Sequence, residues 1–373
     1  MRIGSRQLFD IDYRRRVEIE FIRWSSVKFT LERAILAASV VPVTGAHIAS
    51  ACSRVLRDHI LFLKSIYAGI FDLIAKAFGD NIFVFVSKVH KLALDESIIA
   101  MYIRHFEIVR VMNRRGTLPL TKRYPNLVIK YFGKYLARSF SKKSRREILK
   151  FHHQYLMEHV TESFYEQIFE NGSVLWNEII DDNRYTISLA FNSKWHMEGD
   201  LSLIFSQNDI PLYEISFTVV PGRLINDTAD QALLVGRVQG ARQQAEAIRT
   251  ATRACRDIAP PHLLMAAAQS IAGALAIDVV GGVSNKEQLS KFEGEALGFF
   301  FDYDAFWETF VVKKRGADIY EIPVPFPQKP FEQIKIVHRR RTRLKRRFKN
   351  QIAASVGGVF AEKFLKTQSS QKE

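Results

Sequence analysis

Ala232-Leu-Leu-Val-Gly-Arg-Val-Gln-Gly240 runs directly into Ala241-Arg-Gln-Gln-Ala-Glu-Ala-Ile-Arg-Thr-Ala-Thr-Arg-Ala-Cys-Arg256. The first half is apolar and ends in glycine, which reads as a strand over Ala232–Val238 stopped at Gly240. The second half lacks strand alternation and is rich in Ala, Gln and Arg, which reads as a helix over Ala241–Arg256. Both flanks extend this reading. Upstream, Tyr185–Phe191, the turn Glu198-Gly-Asp200, and Leu201–Phe205 form a hairpin, followed by a third strand, Leu212–Val220, ended by Pro221-Gly222. Downstream, an Ala-rich apolar helix starts at Pro260 or Pro261 and runs to about Ala276, predicted to lie buried against the sheet. Asp278–Val283 is the next strand, and Phe299–Asp302 and Ile319–Pro323 are shorter candidates. Strands, a helical crossover and more strands specify an α+β domain with a mixed sheet.

Residues 17–165 have a different texture. Val55, Leu56, Ile60, Leu63, Ile66 and Ile70 recur at three- and four-residue steps, as do Ile98, Ile99, Tyr102, Ile103 and Phe106. The same period continues through Leu127, Val128, Tyr131 and Phe132, then Tyr155, Leu156 and Val160. This is the helical repeat. Thr117–Pro125 is a break, and Ser139–Arg146 is a basic connector. The expected organisation is a helical region over 1–168, an α+β core over 169–350 closed by a basic helix at Lys335–Lys349, and a partly disordered tail over 351–373.

Of 373 residues, 54 are Lys or Arg and 39 are Asp or Glu, so the formal net charge is +15. Such an excess draws anionic partners: nucleic acid, acidic lipid or phosphorylated small molecules. Cys52 and Cys255 are the two cysteines, without metal-binding or redox spacing. They read as small buried hydrophobes in a reducing compartment. Met1–Glu20 is charged throughout, and Ala34–Cys52 falls short of a membrane span. The expectation is a cytoplasmic protein, peripheral to the inner membrane at most.

Several groups are candidates for chemistry. A strand ending in Gly240 that opens a helix presents free amides to an anion, with Arg237, Ala241 and Arg242 beside it. The alternative is a turn that needs glycine for backbone reasons. Glu214, among apolar neighbours, is a candidate base with a raised pKa, or else a solvated or salt-bridged group. In Phe301-Asp-Tyr-Asp-Ala-Phe-Trp307, Tyr303 is a candidate proton donor at a strand end. Asp302 and Asp304 there are candidate orienting groups for a cation, the alternative being a core anchor. Ser284 and Asn285 either bind a polar ligand or cap the next helix, Ser284 accepting from the backbone near Glu287. His152, His153 and His159 lack metal spacing and read as ordinary helix residues. No metal is expected. The basic helix holds Arg339, Arg340, Arg341, Arg343, Lys345, Arg346 and Arg347, and nine of its fifteen residues from Lys335 are cationic. Like charges at i, i+4 repel, so a counter-anion is expected: nucleic acid, anionic membrane, coenzyme A phosphates or the protein's own acids.

Two resemblances add to this reading. The segments Tyr185–Phe191, Glu198–Phe205, Leu212–Phe217, Val235–Gly240, Pro261–Met265, Gly282–Asn285 and Tyr303–Trp307, with the tail His338–Arg347, resemble the VirK/YbjX family of Gram-negative bacteria. That resemblance implies a role in virulence, antimicrobial-peptide resistance or stress responses, and brings no catalytic residues. The order of antiparallel strands, glycine turn, long helix and strand is similar to the Gcn5-related acetyltransferases, whose turn cradles the pyrophosphate of an acyl-coenzyme A. Their motif is Gln/Arg-x-x-Gly-x-Gly/Ala. Arg237 and Gly240 match it, while Arg242 stands at the last small position. Two functions follow as expectations: an accessory protein with an acyl-CoA-dependent transferase-like core, or a non-catalytic protein that binds nucleic acid or anionic membrane through its basic helix.

Overall fold

The antiparallel hairpins expected from alternation form the first half of one eight-stranded sheet. A computed structural model describes residues 98–169, 172–192, 197–289, 301–310, 313–315 and 318–366. All of them fall in one of the two units into which the chain divides, Ile60–Glu373. The periodic segment Val55–Ile70, the apolar run Ala34–Cys52 and the end Thr367–Glu373 lie outside the described residues.

The strands are β1 (Ser173–Ile180), β2 (Asn183–Phe191), β3 (Leu201–Gln207), β4 (Ile210–Pro221), β5 (Gln231–Gly240), β6 (Val279–Val283), β7 (Lys313–Arg315) and β8 (Ile319–Pro323). Their order is β1-β2-β3-β4-β5-β6-β8-β7. Each neighbouring pair is antiparallel except β5 and β6, which run parallel through Leu233↔Val280, Leu234↔Gly281 and Val235↔Gly282. A parallel pair needs a crossover. Here it passes through helices α5 (Ala245–Ala254) and α6 (Pro260–Ala274). The fold is therefore α+β with a mixed sheet and packed helices, as the sequence predicts.

The helices before the sheet are α1 (Ile98–Met112), α2 (Leu118–Arg123), α3 (Lys142–His159) and α4 (Phe164–Ile168). Thr117–Pro125, expected as a break, holds the short helix α2. Leu127–Phe132 lies in a 3-10 helix, Pro125–Phe132. The basic connector is in fact the first turn of α3, because Ser141 caps it by accepting from the Ser144 amide at 3.1 Å. The buried residues of these helices, among them Ile108, Leu149, Leu156 and Phe164, belong to the same core as Leu203, Phe217 and Val235. The expected boundary at 168/169 is the junction of α4 and β1 within that core.

Helix α7 (Tyr303–Trp307) lies between β6 and β7, and α8 (Ile336–Phe364) follows β8. Two expectations are corrected here. Tyr303 opens a helix rather than ending a strand, because Asp302 Oδ1 accepts from the Ala305 amide at 3.0 Å and caps it. The basic helix does not stop at Lys349 but runs to Phe364, because Phe348, Ile352, Val356, Phe360 and Phe364 repeat every four residues and are all buried. α8 lies along α6, where the Ser270 hydroxyl donates to the Ala353 carbonyl, and against β1, where Phe348 meets Trp176 edge-on at 6.3 Å. Cys255 is buried and free. Among the described residues, no helix is long and apolar enough to cross a membrane.

Candidate functional site

The Gly240 turn is filled. Helix α5 starts at Ala245 rather than Ala241, so Gly240 does not open it. The Ala241 amide is spent on the Leu212 carbonyl at 2.9 Å, which prolongs the β4–β5 ladder by one bond. A Cβ on Gly240 would stand 3.0 Å from Tyr213 Cε2 and 3.1 Å from Ile248 Cδ1. Side chains of β4 and α5 thus pack closely against Gly240, which accounts for a glycine there on packing grounds. Arg242 is exposed on the loop beyond.

Arg237 faces inward. Its guanidinium donates to Glu198 Oε2 at 2.7 Å, with both side chains buried. Gln288 Nε2 donates to Glu198 Oε1 at 2.8 Å and to the Tyr303 hydroxyl at 2.9 Å. The same hydroxyl accepts from the Val238 amide at 3.0 Å. Val238 lies past the end of the β5–β6 pairing, so its N–H needs a partner from elsewhere. Burial, with Glu198 nearby, pushes the Tyr303 phenol up to about 12. Tyr303 therefore fills the gap between β5 and β6 and completes backbone bonding there.

Glu198-Gly-Asp200, predicted as a simple hairpin turn, supplies two buried acids to two different networks. Gly236 lets it come this close, since a Cβ there would sit 2.3 Å from the Glu198 carbonyl. Asp200 accepts from Lys130 and Tyr135, and from the Thr218 hydroxyl at 2.7 Å. Both members of the Lys130–Asp200 pair are buried, and the ammonium lies 4.0 Å from the Tyr135 ring centroid. Burial opposes the charge on Asp200, yet Lys130 beside it holds the carboxyl well below the usual range. Burial draws Lys130 down, with Asp200 opposing.

His152 and His153 stand next to this pair. β4 outruns β3 beyond Phe217, and the buried Val219 amide, which has no β3 partner, donates to His152 Nδ1 at 3.1 Å. His153 Nδ1 meets the Tyr165 hydroxyl at 2.7 Å. Burial pushes His152 down to about 4, and burial with His152 beside it pushes His153 well below its ordinary value. Their partners lie 67 and 12 residues away in sequence, so helical spacing alone gave no sign of them.

The remaining candidates are partly united. Asn285 Nδ2 donates to Asp302 Oδ1 at 2.8 Å, and Asn285 Oδ1 accepts from the Tyr303 amide at 3.0 Å. The Asp304 carboxylate takes the Tyr320 hydroxyl at 2.9 Å. Ser284 is buried, and its carbonyl, rather than its hydroxyl, accepts from the Glu287 and Gln288 amides at 3.1 Å. This cluster clamps α7 to the end of β6. There Trp307 Nε1 donates to the Val283 carbonyl at 2.7 Å, and the ring lies on Gly282. Glu214 accepts from Ser202 at 2.7 Å and Ser216 at 3.0 Å within a half-buried polar ladder. Among the described residues no group of three His, Cys, Asp or Glu is placed to hold a metal.

The first three turns of α8 present the remaining chemistry. No residue from Ile336 to Arg347 is buried. Arg341 pairs with Asp257 at 2.9 Å, and Lys345 donates to the Asp257 carbonyl at 2.6 Å. Asp257 thus supplies the acid that pairs with this helix, rather than Asp302 or Asp304. Arg339 donates to the Ile334 carbonyl at 3.0 Å, and Arg346 to that of Lys329. Arg340, Arg343 and Arg347 are exposed and spaced at three and four residues, so they share one face. Among the described residues, none of them forms an ion pair with an acid, while the Arg343 guanidinium lies 5.7 Å from the Phe331 ring centroid. Beside them lies a recess of about 490 Å³ lined by Arg343, Arg346, Arg347, Asn350, Gln328 and Phe331. The Arg346 guanidinium stacks 4.4 Å from the Phe331 centroid. Burial, and then the neighbouring Arg346 and Lys345, draw Lys349 down. Crowded cations of this kind are relieved by an external anion.

A family described as "Protein of unknown function (DUF535)" matches residues 90–356. The "Uncharacterized protein YbjX" of Escherichia coli (strain K12) is 26% identical over 237 residues, 61% of this chain and 70% of that protein. No solved structure matches. The matched span holds both buried ion pairs and the arginine face of α8.

Proposed function

The chain belongs to the DUF535 family, and from that premise we propose that it is a non-catalytic binding protein that grips phosphate-bearing polyanions through the exposed start of α8. One observation carries the reading. Arg340, Arg343 and Arg347 share an exposed face beside the recess, while their neighbours Arg339, Arg341, Lys345 and Arg346 are engaged by the protein itself. A protein that only needed charge for solubility has no reason to align arginines that, among the described residues, have no acid to pair with. Virulence, envelope-stress and antimicrobial-peptide-resistance roles, implied by the VirK/YbjX resemblance, would place such a grip in the cytoplasm and on anionic cell components.

The test is retention on polyphosphate and on heparin. The full chain should bind both at low salt and release as salt rises. An Arg340→Gln/Arg343→Gln/Arg347→Gln variant should elute at clearly lower salt, because each lost contact removes counterion release. These side chains are exposed, so the fold should be untouched. Equal elution of the two proteins would sink the reading.

A second reading is acyl-CoA-dependent transfer, with Glu214 as base, Tyr303 as acid and Arg237, Gly240, Ala241 and Arg242 around the pyrophosphate. The single parallel strand pair after a run of antiparallel strands supports it. The occupied Tyr303 hydroxyl, the Arg237–Glu198 pair and the filled Gly240 turn count against it. Millimolar acetyl-coenzyme A should then leave the melting temperature unchanged. A clear rise would reinstate the transferase.

A further inference from the structure

We infer that the polyanion met by α8 is the surface of an anionic phospholipid membrane, onto which the first three turns lie flat. The inference rests on the proposed polyanion grip and names its partner. Its carrier is a set of apolar side chains in the wrong place for a purely electrostatic site. Ile336 is 78% exposed, Val337 80% and Leu344 53%. Scattered exposed apolar residues need no explanation. These three fall within nine residues of one helix, on the side that carries Arg340 and Arg347. Ile336, Arg340, Leu344 and Arg347 follow one another at steps of four, four and three, which keeps them on one stripe.

A nucleic-acid backbone is held by charge and hydrogen bonds, and it gives no return for an exposed isoleucine and valine. A bilayer surface uses both components. Anionic headgroups attract the arginines, and the acyl boundary accepts the apolar tips. The long arginine stems suit that boundary, since they lie along apolar surface while the guanidinium stays with the phosphates. The inward face of the same three turns is tied down by Arg341 and Lys345 on Asp257, so the outward face keeps its direction. The recess beside Arg343 and Arg347 is placed to take a single phosphate-bearing headgroup.

The experiment is co-sedimentation of the full chain with vesicles of phosphatidylcholine alone or mixed with phosphatidylglycerol, with a duplex DNA as the competing partner. Two variants accompany the parent: the three-Gln variant already described, and Ile336→Ser/Val337→Ser/Leu344→Ser. The parent should sediment with the mixed vesicles only, and less so in high salt, where the Debye length falls from about 10 Å at 0.1 M to about 3 Å at 1 M. Losing three arginines should weaken vesicle binding roughly a hundredfold, at about fivefold per cation. The three-Ser variant should lose at least about tenfold on vesicles while keeping the parent's affinity for polyphosphate. Unchanged vesicle binding by the three-Ser variant would overturn the inference. So would tight binding to duplex DNA with none to vesicles, and that result would leave the polyanion grip standing. Failure on vesicles, duplex and polyphosphate alike would remove both. Melting temperatures of the two variants should match the parent's, since none of the six side chains is buried.

Discussion

Mild acid should unfold this protein, and the buried histidines set where. His105, His152 and His262 are each pushed by burial from 6.5 to about 4, and burial, with His152 beside it, pushes His153 well below its ordinary value. A histidine whose folded pKa is lowered binds its proton more readily when the chain is unfolded. Its contribution is complete above the unfolded value and is lost as pH falls from about 6.5 toward 4. For a ring moving from 6.5 to about 4, the loss at pH 5.5 is about 1.4 kcal/mol. The three rings at about 4 together remove roughly 4 kcal/mol, and His153 adds in the same direction, against a typical total stability of about 5–15 kcal/mol. Asp200 does not act in this window, because a carboxyl held low loses its contribution only below about pH 4. The assay is urea unfolding followed by tryptophan fluorescence at pH 7.5 and 5.5. The midpoint should fall sharply at the lower pH. His262→Phe, whose ring would keep the packing on Phe306 and Phe310, should recover about 1 kcal/mol of that loss. Equal midpoints at the two pH values would refute the argument, since these buried neutral rings cannot then be present.

Two further outcomes test the interior. Asp200→Asn leaves Lys130 buried without its counter-charge and should cost about 3–5 kcal/mol, while adding Lys130→Met should return part of it; a loss below about 1 kcal/mol in a denaturant titration would show the pair to be hydrated. Gly282→Ala puts a methyl 2.3 Å from Trp307 Cε2 and should cost about 1–3 kcal/mol, with a changed near-ultraviolet tryptophan band; an unaltered band and melting point would mean that the ring does not lie on β6.

The hairpins β2–β3 and the strand β4 were legible because a two-residue alternation survives along them. β1 was not, and the reason is local. Its register slips between Val174 and Trp176, so Leu175 and Trp176 are buried side by side and the alternation is broken. The second half of α8 carried a clear signal, with Phe348, Ile352, Val356, Phe360 and Phe364 at four-residue steps, diluted by Gly357-Gly358 and the polar residues between. The basic face of the same helix was legible from charge alone. The buried acids were not. Glu198 and Asp200 look like turn residues until Arg237 and Lys130, 39 and 70 positions away, are brought to them. The glycine at 240 was visible, but what fills its space, Tyr213 and Ile248, depends on a register and a helix start that local pattern does not specify.

α8 is one continuous helix with two very different anchorages. From Phe348 onward it is stitched into the core. At its far end the Lys366 amide bonds to the His159 carbonyl and the Thr161 amide to the Phe364 carbonyl, closing onto the end of α3. From Ile336 to Arg347 it is held by a few surface contacts and repelled by its own charge. Backbone amides should therefore exchange with solvent deuterium quickly along the first three turns and slowly along the rest, with the transition near Phe348. A helix built this way can loosen at one end without disturbing the other. The projecting turns can open and close while the anchored turns keep the sheet at their back unchanged.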